Sequence, residues 1–356
     1  SGRTRAADGV WEQWDKFCLE LATDPFLQAF QNKIPLLQVF AQRVRTGSLA
    51  RDGNPLRARS VEDYLRHVAQ TFLAVGSQDP RLNSANDIDF TLRRMVKAWK
   101  KEDPPPNRVK PVPVQVIRRI AFIAQHGTCE HQKAIADMII LAFFFLLRPG
   151  EYTDTSTSAR NPDKAPFRLG DVQLFVGNTR LDTLRAPEAV LWTANFGSLT
   201  FDDQKNSVRG EVIGLAISGD PYLCPVKALV RRILHLRPHI THHNIPLARV
   251  FLRTNTTSVR PSDITATLRH SVTFLGPELG FLSSDVSARC LRASGANALL
   301  NSNVDTDIIS LIGRWRSDEM LRYLHVQNRE LMKDYSRLML SGGAYTLIPN
   351  QQVPMH

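Results

Sequence analysis

Apolar positions recur at helical intervals through the first hundred residues. In "DGVWEQWDKFCLEL", Val10, Trp14, Phe17 and Leu21 fall three or four apart, the spacing that lines one face of an α-helix. "IPLLQVFAQRVRTG" repeats the pattern and stops at Gly47, a C-terminal signal. "SVEDYLRHVAQTFLAVG" opens with Ser60, predicted as the N-cap, and ends at Gly76. "DIDFTLRRMVKAWKKE" predicts a fourth helix with a basic face. Together these segments predict a bundle of four or five helices. The pattern breaks at "KKEDPPPNRVKPVP", where five prolines within Pro104–Pro113 forbid helix and favour extended chain. The expected organisation is a helical domain over 1–103, a Pro-rich linker over 104–113, a second domain over 114–340 and a tail over 341–356.

The second domain reads as mixed. Helices are predicted over Val114–Gln125 and Glu130–Leu147. Strand-like runs follow in "DVQLFVG", "AVLWTANF", "SLTFDD" and "EVIGLAIS". "CPVKALVRRILHLR", "PSDITATLRHSVTFLG", "SARCLRASGANALLN", "DTDIISLIG" and "SDEMLRYLHVQNRELMKDYSRLM" return to helix. The plan is mainly α with a small β-sheet, an α+β class. The longest apolar run, "MIILAFFFLL", is too short to span a bilayer and predicts a buried core helix, so no membrane partner is expected.

Charge adds a partner. The net charge is +11. Through Asp103 there are 16 basic against 13 acidic residues, and after it 29 against 21. The larger part is therefore the more basic, which favours a polyanion, nucleic acid first. Four scattered cysteines show neither zinc spacing nor a disulfide framework, so a reducing, intracellular setting is expected.

Four short stretches carry candidate chemistry. In "LLRPGEY", Arg148 ends the most apolar predicted helix, Pro149 stops it, and Glu151 follows three residues on. In "FDDQKNSVRGE", Lys205 sits in a predicted hairpin turn. In "SARCLRASGANALL", Arg289 and Arg292 lie three apart on one helix face, and Ala293, Ser294, Gly295 and Ala296 form a small-residue patch where another backbone could approach. "GRWRSDEMLRYL" holds Arg314, Trp315 and, ten residues after Gly313, Tyr323. Taken singly, each also reads as an ordinary solvated or helix-terminal residue.

Their order and spacing resemble the catalytic set of the tyrosine recombinases, the lambda-type integrases. The matching slots read Arg148-Pro-Gly-Glu151, Lys205, Arg289-Cys-Leu-Arg292, Gly313-Arg314-Trp315 and Tyr323. "KEDPPPNRVKPVP", "FDDQKNSVRGEVI" and "GRWRSDEMLRYL" look most like recombinases of Crypton-type mobile elements, and the resemblance covers nearly the whole chain. It implies an N-terminal helical core-binding domain and a tyrosine-recombinase catalytic domain. Two positions depart from the family pattern. The usual histidine three before the second arginine is Arg289, and the residue after the glycine, usually His or Trp, is Arg314, with Trp315 one place later.

The chemistry fits these residue types. Attack on a phosphodiester raises charge on its non-bridging oxygens, and guanidinium groups meet that charge with paired hydrogen bonds. Arg148 and Arg292 are the expected clamp, with Glu151 orienting an arginine. The resemblance implies attack by Tyr323 to give a 3′-phosphotyrosine and a free 5′-hydroxyl, needing neither ATP nor a metal. Lys205 is the candidate proton donor to the leaving oxygen; Arg289 has no lone pair and cannot act as a base. The expected partners are double-stranded DNA and further copies of the chain, four in a synaptic complex with exchange of C-terminal tails. A non-cutting DNA-binding protein of the same fold and a type IB topoisomerase are the alternatives. Nuclear location follows if the Crypton likeness holds.

Overall fold

The helical spacing of the first hundred residues is what folds them. In the computed structural model, which describes residues 2–49, 53–104, 110–155, 166–201, 210–239, 248–253, 257–315 and 334–345, they form α1 (Gly2–Glu20), α2 (Ile34–Arg45), α3 (Ala58–Ala74) and α4 (Phe90–Glu102). These belong to the first of two compact units, Ser1–Asn107 and Arg108–His356. Val10, Trp14 and Phe17 are buried, whereas Leu21 lies past the end of α1 and is exposed. The Trp14 ring meets Phe40 edge-on at 4.9 Å, and its indole N–H donates to the Pro25 carbonyl at 2.8 Å. A buried indole needs such a partner. Beyond α2, Gly47 takes a φ of +81°, where a Cβ would strike the Gly53 carbonyl.

Ser60 is not the N-cap of α3. The helix begins two residues earlier, with Arg57 at the cap position and no capping side chain of its own. A distant carboxylate does the work. Asp103 accepts from the Ala58 N–H at 2.7 Å and pairs with Arg45, so the end of α4 satisfies the start of α3. α4 itself is capped by Asp89, which accepts from the Thr91 and Leu92 N–H groups.

The second unit is built around α6 (Glu130–Phe144), packed on α5 (Val114–His126). Every residue from Ala134 to Phe144 is buried, which is why this segment shows no polar face. No described helix is long and apolar enough to cross a membrane. α6 stops at Phe144 rather than Leu147. Leu146 takes a φ of +50°, and Pro149 opens a new short helix, α7 (Pro149–Tyr152), instead of stopping the old one. Proline suits the first helical position, where its missing N–H has no partner to lose.

The sheet among the described residues has four antiparallel strands, β1 (Val172–Val176), β2 (Thr179–Arg180), β3 (Phe196–Phe201) and β4 (Glu211–Ala216), ordered β2-β1-β3-β4. The strand expected from "AVLWTANF" is instead a short helix, α8 (Glu188–Trp192), and extended pairing starts only at Phe196. Pro187 caps that helix and Glu188 suits its first turn. Only Leu191 points inward, while Val190 and Trp192 stay partly exposed. A four-residue apolar run is too short for periodicity to separate helix from strand.

The rest is helical: α9 (Pro225–Leu236), α10 (Pro261–Leu279), α11 (Cys290–Asn301), α12 (Thr306–Gly313) and α13 (Tyr335–Gly342). The small-residue patch on α11 does admit another backbone. A Cβ on Gly295 would overlap the Phe143 carbonyl of α6, and the Ser294 hydroxyl accepts from the Val112 N–H at 2.6 Å. Residues 341–345, read as tail, are held by their own unit. α13 continues through Gly342, the Gly343 carbonyl accepts from Val114 N–H at 2.7 Å, and the Tyr345 hydroxyl donates to the Pro111 carbonyl at 3.1 Å. The architecture is mainly helical with a small antiparallel sheet. Cys18, Cys129, Cys224 and Cys290 are all free thiols.

Candidate active site

The turn that ends α6 is the floor of the site. Because α6 stops at Phe144, the carbonyls of Phe145 and Leu146 have no helical partner and face the neighbouring elements. Arginines fill that need. Arg292, one turn into α11, donates to the Leu146 carbonyl at 3.2 Å and to the Gly313 carbonyl at the end of α12. Arg314 donates to the carbonyls of Phe145 and Leu146, both at 3.2 Å, and of Ile312 at 3.1 Å.

Arg148 joins them through Glu151. Its backbone N–H donates to Glu151 Oε2 at 2.7 Å, and its Nη1 to Oε1 at 2.9 Å. The same carboxylate accepts from Arg314 Nη2 at 3.0 Å. Glu151 thus contacts two arginines at once. The expectation that Arg148 ends the long helix is corrected: it occupies the N-cap position of α7, and Glu151 closes that helix's first turn.

The residues around Gly313 divide in an unexpected way. Gly313 is the last residue of α12, and Arg314 takes the left-handed conformation, φ 57° and ψ 42°. The Arg314 N–H donates to Leu311 and the Trp315 N–H to Ser310, the two bonds of a Schellman stop. The Arg314 side chain turns inward, is almost fully buried, and lies 3.8 Å from the centre of the Phe201 ring. Trp315 turns outward, 37% exposed, with its ring 4.5 Å from the Arg292 guanidinium carbon. Glycine at 313 lets this happen, since a Cβ there would overlap the indole.

Charge is out of balance here. Burial first, then the cations Arg314 and Arg148, push the Arg292 guanidinium down to about 9. Burial pushes Arg314 down to about 10, against the pull of Glu151. Both stay charged at neutral pH. Among the described residues, three guanidinium groups face Glu151 and, from the start of β4, Glu211, so cations outnumber carboxylates. An anion with several acceptor oxygens would answer that excess.

The structure thus brings together Arg148, Glu151, Arg292, Arg314 and Trp315. It does not bring in Arg289, which holds the N-cap position of α11, is exposed, and makes no side-chain hydrogen bond or ion pair among the described residues. Lys205 and Tyr323 lie outside the described residues. The segments that carry them leave from this site: residue 202 follows Phe201, whose ring meets Arg314, and residue 316 follows Trp315. The antiparallel pairing of Phe201 with Glu211 makes 202–209 the connection of the β3–β4 hairpin. The contributions of Phe201 and of the Phe145 and Leu146 carbonyls were not visible in the sequence. A backbone carbonyl has no residue signature, and Phe201 reads as ordinary strand core.

No protein-family model matches the chain, and no curated protein does. Solved structures with distant similarity include two integrases. The integrase of the Tn1549 transposon, in complex with circular-intermediate DNA, has a TM-score of 0.44 at 12% identity, over 89% of this chain and 95% of that one. The integrase from mycobacterium phage Brujita has a TM-score of 0.34 at 15% identity, over 98% of this chain and 90% of that one.

Proposed function

We propose that the protein is a tyrosine recombinase, cutting and rejoining DNA through a covalent 3′-phosphotyrosine at Tyr323. The observation that carries this reading is the meeting of arginines from separate elements, where cations outnumber carboxylates among the described residues. Arg148 and Arg292, distant in sequence, meet at one partly exposed place whose charge calls for a phosphate-like anion. Both sequence segments bearing the remaining predicted groups depart from that place.

In this account Arg148 and Arg292 hold the non-bridging oxygens of the scissile phosphate and stabilise the charge that grows on them. Tyr323 attacks, and the P–O5′ bond breaks as the P–O(Tyr) bond forms. Lys205 gives its proton to the leaving 5′-oxygen, and the tyrosine proton passes to solvent or phosphate. Attack by a partner strand's 5′-hydroxyl reverses the step, so the bond energy is conserved in the intermediate. Arg289, exposed at the start of α11, serves as a phosphate contact and not as a base. Binding to the duplex draws also on α4, where Arg93, Arg94, Lys97, Lys100 and Lys101 are all exposed. A synapse of four protomers on two duplexes, tail exchange beyond residue 345, kinship with Crypton-type elements and a nuclear setting complete the proposal.

The test is a nicked suicide DNA substrate followed by denaturing electrophoresis. Wild-type protein is expected to run as a covalent adduct, and Tyr323→Phe to bind DNA without forming one. A wild-type protein that binds DNA and leaves it uncut would point to a silent DNA-binding protein. Relaxation of a supercoiled plasmid by the protein without synapsis would point to topoisomerase chemistry.

A further inference from the structure

Position 314 poses a physical puzzle. An L-residue in the left-handed region costs roughly 1–2 kcal/mol, and the stop of a helix is where glycine usually removes that cost. Here the glycine stands one place early, at 313, and an arginine takes the strained position. A large charged side chain in strained backbone, almost fully buried, points to a use for that side chain.

Its contacts identify the use. Arg314 shares both of the acceptors that locate the two clamp arginines. Glu151, which binds Arg148, also binds Arg314 at 3.0 Å. The Leu146 carbonyl, which binds Arg292 at 3.2 Å, binds Arg314 at the same distance. A third bond to the Phe145 carbonyl and the stack on Phe201 fix the guanidinium from the other side. Arg314 is thus the one described side chain that ties the Arg148 anchor to the Arg292 anchor. Trp315 meanwhile faces outward beside Arg292, and its indole N–H makes no hydrogen bond among the described residues.

We infer that Arg314 is a positioning residue that locks the Phe145–Glu151 turn. This rests on the recombinase reading for its reaction, but the locking itself does not. Without Arg314, Glu151 and the Leu146 carbonyl are free to re-pair, and the clamp arginines lose their spacing.

The experiment compares Arg314→Gly and Glu151→Gln in the full chain by amide hydrogen exchange and by adduct formation on nicked duplex. Arg314→Gly relaxes the backbone at 314 while removing the guanidinium. It is expected to speed exchange at residues 145–151 and to slow adduct formation by about 100-fold, the scale of a misplaced catalytic group. Noncovalent DNA affinity should change little, and guanidinium ion at sub-denaturing concentration should restore part of the rate. Glu151→Gln leaves the 314 backbone alone and should loosen the same turn, which decides the matter if Arg314→Gly does not fold. Unchanged exchange in both Arg314→Gly and Glu151→Gln would overturn the positioning role. If wild-type protein forms no adduct, the recombinase reading fails, and exchange alone still decides whether Arg314 locks the turn.

Discussion

Arg232 and Arg292, both in the second unit, rest on backbone carbonyls and differ in their neighbours. Arg232, on α9, donates to the Val250 carbonyl at 3.0 Å and to that of Leu252. Burial pushes it down to about 10, and the next influences are the carboxylates Asp137 and Glu130, which pull it back. Beside it Arg231 pairs with Asp137 at 2.6 Å. Two guanidinium groups there face two carboxylates. Arg292 also rests on carbonyls, but after burial its next influences are the cations Arg314 and Arg148. Burial of an arginine is thus not a functional signal. Burial among other arginines, at a place still partly open, is one. Arg232 closes a fold, whereas among the described residues the cluster around Arg292 holds more cations than carboxylates.

This contrast can be broken experimentally. The largest effect should come from Arg292→Ala or Arg148→Ala, each slowing adduct formation by about 10²–10³-fold while the thermal midpoint stays near wild type. If either variant instead unfolded with no loss of rate in the folded fraction, the cluster would be structural, like Arg232. Arg232→Met should behave oppositely. It leaves two buried carbonyls without a donor and should cost about 1–3 kcal/mol of stability by denaturant titration, with the adduct rate per folded molecule unchanged.

Exposed cations form a third class. Arg93→Ala and Lys97→Ala on α4 should each weaken DNA binding uniformly across sequences and reduce the slope of log affinity against log salt by about 1. A variant that changes affinity with no change in slope would not be a phosphate contact. The smallest effect concerns the balanced pair in the first unit. Burial opposes ionisation of Asp103, but hydrogen bonds from Arg45 and the Ala58 N–H outweigh it and hold its carboxyl below the ordinary 3.8. Its contribution is therefore present above 3.8 and lost as pH falls through the lower folded value. Asp103→Asn should melt earlier than wild type at neutral pH, and the gap should close in acid. A gap that persists unchanged below the folded value would assign the effect to packing.

Much of the fold was legible because burial is periodic. Val10, Trp14 and Phe17 follow a helical stripe, the unbroken apolar run of α6 marks a helix buried all round, and the glycine in "RASGANALL" marks a close crossing. What stayed hidden was set by contacts distant in sequence. Asp103 caps a helix 45 residues away, so Ser60 was mistaken for the cap. Pro149 was read as a stop because its effect on the preceding helix is familiar, while its fitness as a first helical residue depends on a turn at Leu146 that nothing local announces. At the site, the family resemblance carried by residue order and spacing singled out Arg148, Glu151 and Arg292, which the structure brings together. It could not reveal that Arg314 turns in and Trp315 out, because a left-handed arginine contradicts the local preference for glycine and is held there only by tertiary contacts.

The most direct test of the central claim is to find the atom that carries the DNA. The adduct trapped on a nicked substrate is digested with protease and nuclease, and the peptide bearing the residual nucleotide is sequenced by mass spectrometry. The account predicts a phosphodiester linkage on Tyr323 and on no other residue. A linkage on Tyr335 or any other side chain, or no linkage from protein that binds the substrate, would contradict it.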